Sequence, residues 1–426
     1  MGIGLVDPIL PTIAKQLNAT QTQSELLFTT YLALTGVAMF FTSWVSSRVG
    51  IKNTLLIGLA VVIVFAAACS AAPAVAPIIG FRAGWGVGNA LFISTALAAM
   101  VSAAVGGSAR AIILYETALG IGMAVGPLTG GLLGSITWRA PFLGTSVLML
   151  VGLVSIALML KAPKSGEKGG GQGGGQASRP QTHAGPVHIS APFKALKDPG
   201  MGTMGIAAFF YNMAFFTTLA FPPFALARLG VTNAISIGLV FFGWGGLLAV
   251  SAVVVAPRLT RLLPRTRVIQ VAELGLAVVM LAAALSVNSL VLLIVFVILA
   301  GIPLGLLNTV LTECSMEASE VPRPVASSAY SGCRFLGGAI APPLCTLLAG
   351  ATFIWAPFVY GAAMIIVSCL VITVRRSSLA RADRPDQADL VGPADVPADC
   401  VASRVVEAPA DCVASRVAEA PADQTA

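Results

Sequence analysis

The chain has little charge and almost no histidine. Asp, Glu, Lys and Arg together make up 10% of its 426 residues, and there are two histidines. A soluble globule carries charge on about a quarter of its residues, so a water-soluble fold is excluded. Both histidines, His183 and His188, lie in a polar stretch, and the seven cysteines show no CxxC or Cys/His spacing. Neither a metal site nor a disulfide framework is therefore supported. No GxxxxGK[ST] loop occurs, which leaves ATP drive without a motif. No apolar run holds a histidine, and nothing there pairs a nucleophile with a base, so a membrane enzyme is disfavoured and no cofactor is expected. The net charge of +7 would suit nucleic acid, but the basic residues fall between hydrophobic runs, where they set membrane orientation instead.

What is present is hydrocarbon: 57% hydrophobic residues and a mean hydropathy of +0.89. A bilayer span needs about 20 apolar residues. Runs of that length lie near 26–46, 54–72, 76–104, 109–135 and 138–160, and again near 201–227, 234–256, 267–287, 289–312, 325–350 and 352–374. The opening run, Met1 to about Ala14, is too short and carries Asp7, Pro8 and Pro11. It lacks the basic start of a signal peptide and is expected to be a truncated first span. The expectation is an all-α membrane protein of twelve transmembrane helices in two six-helix bundles, 1–160 and 200–374. A linker at 161–199 contains GGGQGGGQ, a composition that cannot bury a core. The polar tail 375–426, in which PADCVASRV at 397–405 recurs at 409–417, is expected to be disordered.

Placing Arg48, Lys52, Arg110, the linker cations, Arg258, Arg261, Arg265, Arg267, Arg323, Arg375, Arg376, Arg381 and Arg384 on one side leaves only Lys15, Arg139 and Arg228 on the other. That asymmetry puts both termini and the linker in the cytoplasm.

Charges inside the spans cost several kcal/mol by most estimates and are functional candidates. Asp7 and Arg82 both fall in the outer half of the first bundle and are expected to pair, with Asp7 able to carry a proton and Arg82 to position it. Glu116 is a second candidate proton site. Arg334, deep in the eleventh run, is expected to meet Glu273 or Glu313 at an inner gate. Glu313, Glu317 and Glu320 with Arg323 read as a solvated helix end. For a substrate cavity the candidates are Trp85, Asn89, Tyr211, Asn212, Phe215 and Asn308, aromatic and amide groups that would line an apolar pocket.

The halves share landmarks. Tyr115 to Pro127 spans twelve residues, as does Tyr330 to Pro342; Gly122 then falls on Gly337, and Gly86-x-x-Asn89 has a counterpart in Gly305-x-x-Asn308. A duplicated six-helix unit places substrate between the repeats near the midplane.

The stretch 115–142 carries small residues at every fourth position, Ala118, Gly122, Gly126, Gly130 and Gly134. Positions four apart share a helix face, and a bare face lets a second helix approach to backbone distance. Within it, Gly122-x-x-x-Gly126-Pro127-x-x-Gly130-Gly131 resembles the antiporter motif in the fifth helix of the major facilitator superfamily, its drug:proton antiporters in particular. Arg82 followed by Gly84, Gly86 and Gly88, and Asp7 in LVDPILPTIA, resemble that family's fourth- and first-helix motifs. YETALGIGMAVGPLTGG with WRAPF is similar to the bacterial exporter group that handles siderophores such as bacillibactin and multiple drugs. One departure stands out: in the loop between helices two and three Arg48, Gly50 and Lys52 match, but Ser47 stands where the family usually has Asp. The charged inner gate must then be rewired.

The resemblance implies a plasma-membrane antiporter, acting as a monomer, that exports an amphipathic small molecule, drug or siderophore-like, in exchange for protons. The rivals are a proton-coupled uptake symporter and a non-transporting membrane scaffold. If Asp7 carries the proton, Asp7→Asn abolishes pH-gradient-driven dye efflux from vesicles; efflux at the wild-type rate would remove Asp7 from the coupling scheme.

Overall fold

With no water to bond its amides, a chain crossing hydrocarbon must satisfy them within itself, and a single apolar segment does so as a helix. In the computed structural model, which describes residues 2–6, 16–103, 108–160, 187–350 and 353–383, the runs fold in this way. The first half forms α1 (Gly2–Val6), α2 (Gln21–Val49), α3 (Ile51–Ala71), α4 (Val75–Ala103), α5 (Ser108–Ile136) and α6 (Ala140–Met159). The second forms α7 (Pro199–Ala220), α8 (Ala234–Val250), α9 (Arg265–Leu285), α10 (Gly301–Glu317), α11 (Arg323–Ala349) and α12 (Ala356–Val374). Among the described residues eleven helices, counting continuations, are long and apolar enough to cross a membrane. The expected first span is represented by the five residues of α1.

Local chemistry sets the ends. Thr20 and Gln23 form a reciprocal capping box on α2, and Asp198 accepts from the N–H groups of Gly200 and Met201, both at 3.0 Å, to start α7. Gly50 alone joins α2 to α3, at φ +88°, a conformation that a residue with a Cβ rarely adopts. Prolines break the later helices where their rings oppose the carbonyl four residues back. α7 stops at Phe221 and continues as Pro222–Arg228, as the Pro222-Pro223 pair leads one to expect; α8 passes through a π-helical turn, Ser251–Val255, just before Pro257. Leu290–Leu299 and α10 are separated at Ala300, three residues before Pro303.

The same neighbour relations recur in both halves. α1 packs on α5 as α7 packs on α11; α2 on α4 as α8 on α10; α3 on α6 as α9 on α12. The matched glycines sit at equivalent contacts. A Cβ on Gly86 would come 2.5 Å from the Tyr31 carbonyl oxygen of α2, and one on Gly305 would strike the Leu248 carbonyl of α8. Between the halves the large contacts are α2 with α11 and α5 with α8.

The glycine stripe of α5 serves α1, with Gly126 against Gly4 and Gly130 against Leu5. A second small-residue face, offset from the first, meets the other half: Gly131 lies on Ala234, Pro127 on Gly238 and Ala124 on Gly245. Here the backbones of α5 and α8 approach as closely as small-xxx-small packing allows.

Two boundaries differ from the sequence expectation. The linker's last residues are folded: Ala191–Ala195 is a short helix whose Phe193 stacks on Phe40 at 4.8 Å. The tail's first nine residues belong to the bundle. Leu379 and Ala382 are fully buried, Arg265 donates to the Ala382 carbonyl at 2.9 Å, and Asp383 accepts from the Thr266 N–H at 2.9 Å and its hydroxyl at 2.6 Å. A polar composition conceals such docking because two small apolar side chains and a few backbone bonds carry it.

Alanine is the better helix former by up to about 1 kcal/mol. Gly246→Ala, with nothing within 4 Å of the new Cβ, should hold or raise the melting temperature in detergent. Gly245→Ala should lower it, because its Cβ would lie 2.5 Å from the Ala124 Cα. Equal effects at the two positions would refute the close seam.

Candidate functional site

The sequence-derived candidates divide into two groups. Glu116, Arg334, Tyr211, Asn212, Phe215 and Asn308 converge where α5, α7, α10 and α11 meet. Glu116 is buried at 1% exposure. Its Oε1 accepts from the Thr312 hydroxyl at 2.8 Å and lies 3.8 Å from Nη1 of Arg334. Arg334 also donates through Nε to Asn212 Oδ1 at 3.3 Å and through Nη2 to Asn308 Oδ1. Asn212 returns a bond to the Arg334 carbonyl at 2.6 Å, and the Tyr211 hydroxyl donates to Asn308 Oδ1 at 2.7 Å. Phe215 packs on Tyr211 and Trp244 beside them.

This network joins the halves, since Glu116 belongs to the first and every other member to the second. Arg334 therefore pairs with neither carboxylate expected from the sequence. Glu273 is held by Ser368, and Glu313 by Arg265 at 2.8 Å. The reading of Glu313 and Glu317 as a solvated end is also corrected. Both bind Arg265, and Glu313 is buried; only Glu320, paired with Arg381, lies out in solvent. Sequence spacing cannot distinguish these partners because they lie on helices far apart in the chain.

Several polar atoms around the network are buried without a hydrogen-bond partner among the described residues: Glu116 Oε2, Asn308 Nδ2 and Trp244 Nε1. Orphaned groups of this kind in one place are what a polar ligand atom or a water would satisfy. In this conformation the side chains expected to line a cavity pack against one another instead. One cavity among the described residues lies away from them. It is small, about 20 Å³, and lies between Ser24, Phe28, Phe221, Phe224, Pro342 and Thr346.

The second group stays inside the first half. Arg82 is buried at 1% exposure, with its guanidinium over the rings of Phe28 at 5.8 Å, Tyr31 at 5.1 Å and Trp85 at 5.5 Å. Trp85 is thus a wall of the Arg82 site, packed edge-on to Tyr31 and Phe142, and does not join the Tyr211 cluster. Asn89, two turns along α4, keeps a buried Nδ2 without a partner among the described residues. Asp7 lies outside the described residues. Gly122, Gly126, Pro127, Gly130 and Gly131 are all buried in the seams of α5.

Arg48 is exposed, stacks on Trp44 at 4.8 Å and makes no ion pair among the described residues. Ser47, in the place of the family's Asp, accepts from the Val187 N–H at 3.2 Å. The seal at the linker end is built from hydroxyls the sequence reading passed over. Thr42 Oγ1 lies 2.7 Å from Ser328 Oγ and donates to Ser94 Oγ at 2.9 Å; the Ser43 N–H donates to Ser328 at 3.1 Å, and Ser327 donates to the Ser94 carbonyl at 3.0 Å. Beyond them Arg323 donates to the Val101 carbonyl at 2.7 Å, again across the halves. The signal was there in Ser327-Ser328 and Thr42-Ser43 within apolar runs, but serines inside helices commonly bond their own backbone and carry little information alone.

Two matched halves, bare seams and a buried charge network across their interface are the architecture of a membrane transporter. The family model of the Major Facilitator Superfamily matches residues 1–342; the chain belongs to that superfamily. It is 45% identical over 381 residues to the multidrug efflux protein YfmO of Bacillus subtilis (strain 168), covering 89% of this chain and 91% of that protein. It is 30% identical over 168 residues to the tetracenomycin C resistance and export protein of Streptomyces glaucescens, covering 38% of this chain and 31% of that one. The crystal structure of the human organic anion transporter MFSD10 shares the fold at a TM-score of 0.67 and 14% identity, over 87% of this chain and 95% of that one.

A neutral hydrogen bond contributes about 1 kcal/mol in a folded protein, and about 0.6 between transmembrane helices. A double-mutant cycle with Thr42→Val and Ser328→Ala should show a coupling energy on the order of 0.5–1 kcal/mol in unfolding; strictly additive losses would show that the hydroxyls do not bond across the seam.

Proposed function

We propose that this protein exports amphipathic, drug-like molecules from the cytoplasm in exchange for protons, by rocking of its two halves. The observation that carries the reading is the buried pair Glu116–Arg334, at 3.8 Å, because it is a charge–charge contact between the parts that must move.

Near an effective dielectric of 20, opposite charges about 4 Å apart attract by roughly 4 kcal/mol. Converting a conformational balance from 1:99 to 99:1 takes about 5.5 kcal/mol. Neutralising Glu116 with a proton removes the attraction and so supplies much of such a shift. The hydroxyl seal between α2 and α11, being uncharged, then parts at modest cost. The network's orphaned donors and the aromatic surfaces of Tyr211, Phe215 and Trp244 would receive a polar tip and an apolar body respectively, which describes an amphipathic substrate.

The names of the relatives support the direction and class of transport: one is a multidrug efflux protein, another an antibiotic resistance and export protein. The basic loops support an inner-membrane placement with both termini cytoplasmic. Asp7 with Arg82 supplies a second proton-handling pair under the same proposal, and a single copy of the chain would suffice for the cycle.

The test is dye efflux from proteoliposomes under an imposed pH gradient. Glu116→Gln should retain dye binding, by fluorescence titration, and lose gradient-driven efflux at least tenfold. Wild-type efflux in that variant, or wild-type efflux that ignores the gradient, would defeat the coupling scheme.

A further inference from the structure

Glu273, on α9, is a buried carboxyl that the transport scheme does not use. It is 0% exposed, and no Lys, Arg or His among the described residues is within ion-pair distance of it. Ser368 on α12 has its Oγ 2.5 Å from Oε1, and the Cys369 thiol next to it on α12 is the other hydrogen-bonding neighbour of the carboxyl among the described residues. Ser368 Oγ is also 3.0 Å from the carbonyl oxygen of Ala207 on α7.

The proton inventory limits how these bonds run. A serine hydroxyl has one hydrogen, and a backbone carbonyl can only accept. If Ser368 satisfies Ala207, the bond to Glu273 must be donated by the carboxyl, which is then a neutral acid with Oε1 as its hydroxyl and Oε2 as its carbonyl. A separation of 2.5 Å is at the short end of the O–H···O range, open to a carboxylic acid donating to a hydroxyl as well as to a hydroxyl donating to a carboxylate. The alternative, an ionised Glu273, would leave a charge in hydrocarbon with a hydroxyl and a weak thiol donor and no cation within ion-pair distance among the described residues. Such a charge costs far more than a neutral carboxyl.

We propose that Glu273 is a proton-binding site of the second half, holding its proton throughout the cycle, and that the chain Glu273–Ser368–Ala207 ties α9, α12 and α7 together. All three helices belong to one half, so rocking against the other half leaves the chain intact. The titratable groups nearby are the Cys369 thiol on α12 and the Tyr211 phenol on α7. A polar route reaches the site from the linker end along the same faces of α9 and α12: Thr266 with Asp383, then Gln270 donating to Thr373 at 2.8 Å, then Glu273 with Ser368. Residues 266, 270 and 273 recur at helical spacing, which puts them on one side of α9. Through this route the site takes up its proton as the half folds.

The experiment uses the full chain in lipid bilayers. Infrared spectra of the wild type minus Glu273→Gln at neutral pH should show a protonated-carboxyl C=O band that shifts in D₂O. Because a glutamine amide also donates, Glu273→Gln should keep the wild-type melting temperature and gradient-driven efflux, whereas Glu273→Ala, which leaves Ser368 without its donor, should melt lower. The proposal is overturned if no such band disappears in the Gln variant, or if Gln melts as low as Ala. Loss of efflux in Glu273→Gln with an unchanged melting temperature would also overturn it, by showing that the proton is transported rather than held. None of these readouts depends on the role given to Glu116, so the two readings fail separately.

Discussion

A charge carried into hydrocarbon must meet an opposite charge or a proton, and the arrangement of this transporter follows from how it meets that requirement. At the interface between the halves the buried Arg334 is answered by a carboxylate from the opposite half and two asparagine oxygens from its own. The halves are thereby attracted at one buried point. The other described contacts between them are mostly uncharged, as in the Thr42–Ser328 seam, or nearly free of side chains, as in the glycine contacts of α5 with α8; Arg323 adds a bond to the Val101 carbonyl at the linker end.

That division suits a machine that rocks. Glycine seams give close van der Waals contact with no interdigitating side chains to unlock, so sliding and tilting meet little steric resistance. Hydroxyl pairs break at about 1 kcal/mol each. The family's usual charged loop would add strong ion pairs at the linker end; here Ser47 replaces its Asp and Arg48 stacks outward on Trp44, so the seal is weaker per contact and relies on number. Within the second half the opposite holds: Arg265 with Glu313 and Glu317, and Glu273 with Ser368, fix helices that need not part.

Much of the fold was legible because hydrophobic length and loop charge are local properties. The eleven long spans and the break at Pro222-Pro223 follow from single stretches of sequence, and the Gly86/Gly305 correspondence pointed to contacts that do recur in the two halves. Partner choice was not legible. For Arg334 the sequence offered Glu273 or Glu313, and only the packing of α5 against α10 brings Glu116 to it instead. The offset face of α5 that meets α8 was hidden by the more regular stripe beside it, which turned out to serve α1. Trp85 and Tyr211 were read as parts of one cavity; the fold places the first around Arg82, inside the first half. The docking of residues 375–383 was masked by a polar composition.

The central claim is that a proton on Glu116 and the closed interface exclude each other. Proton release on substrate binding, followed with a pH-sensitive dye in weakly buffered detergent solution, tests this directly. The account predicts that the wild type releases protons when a transported dye binds and that Glu116→Gln, binding the same dye, releases measurably fewer. Identical release from the two proteins would contradict it.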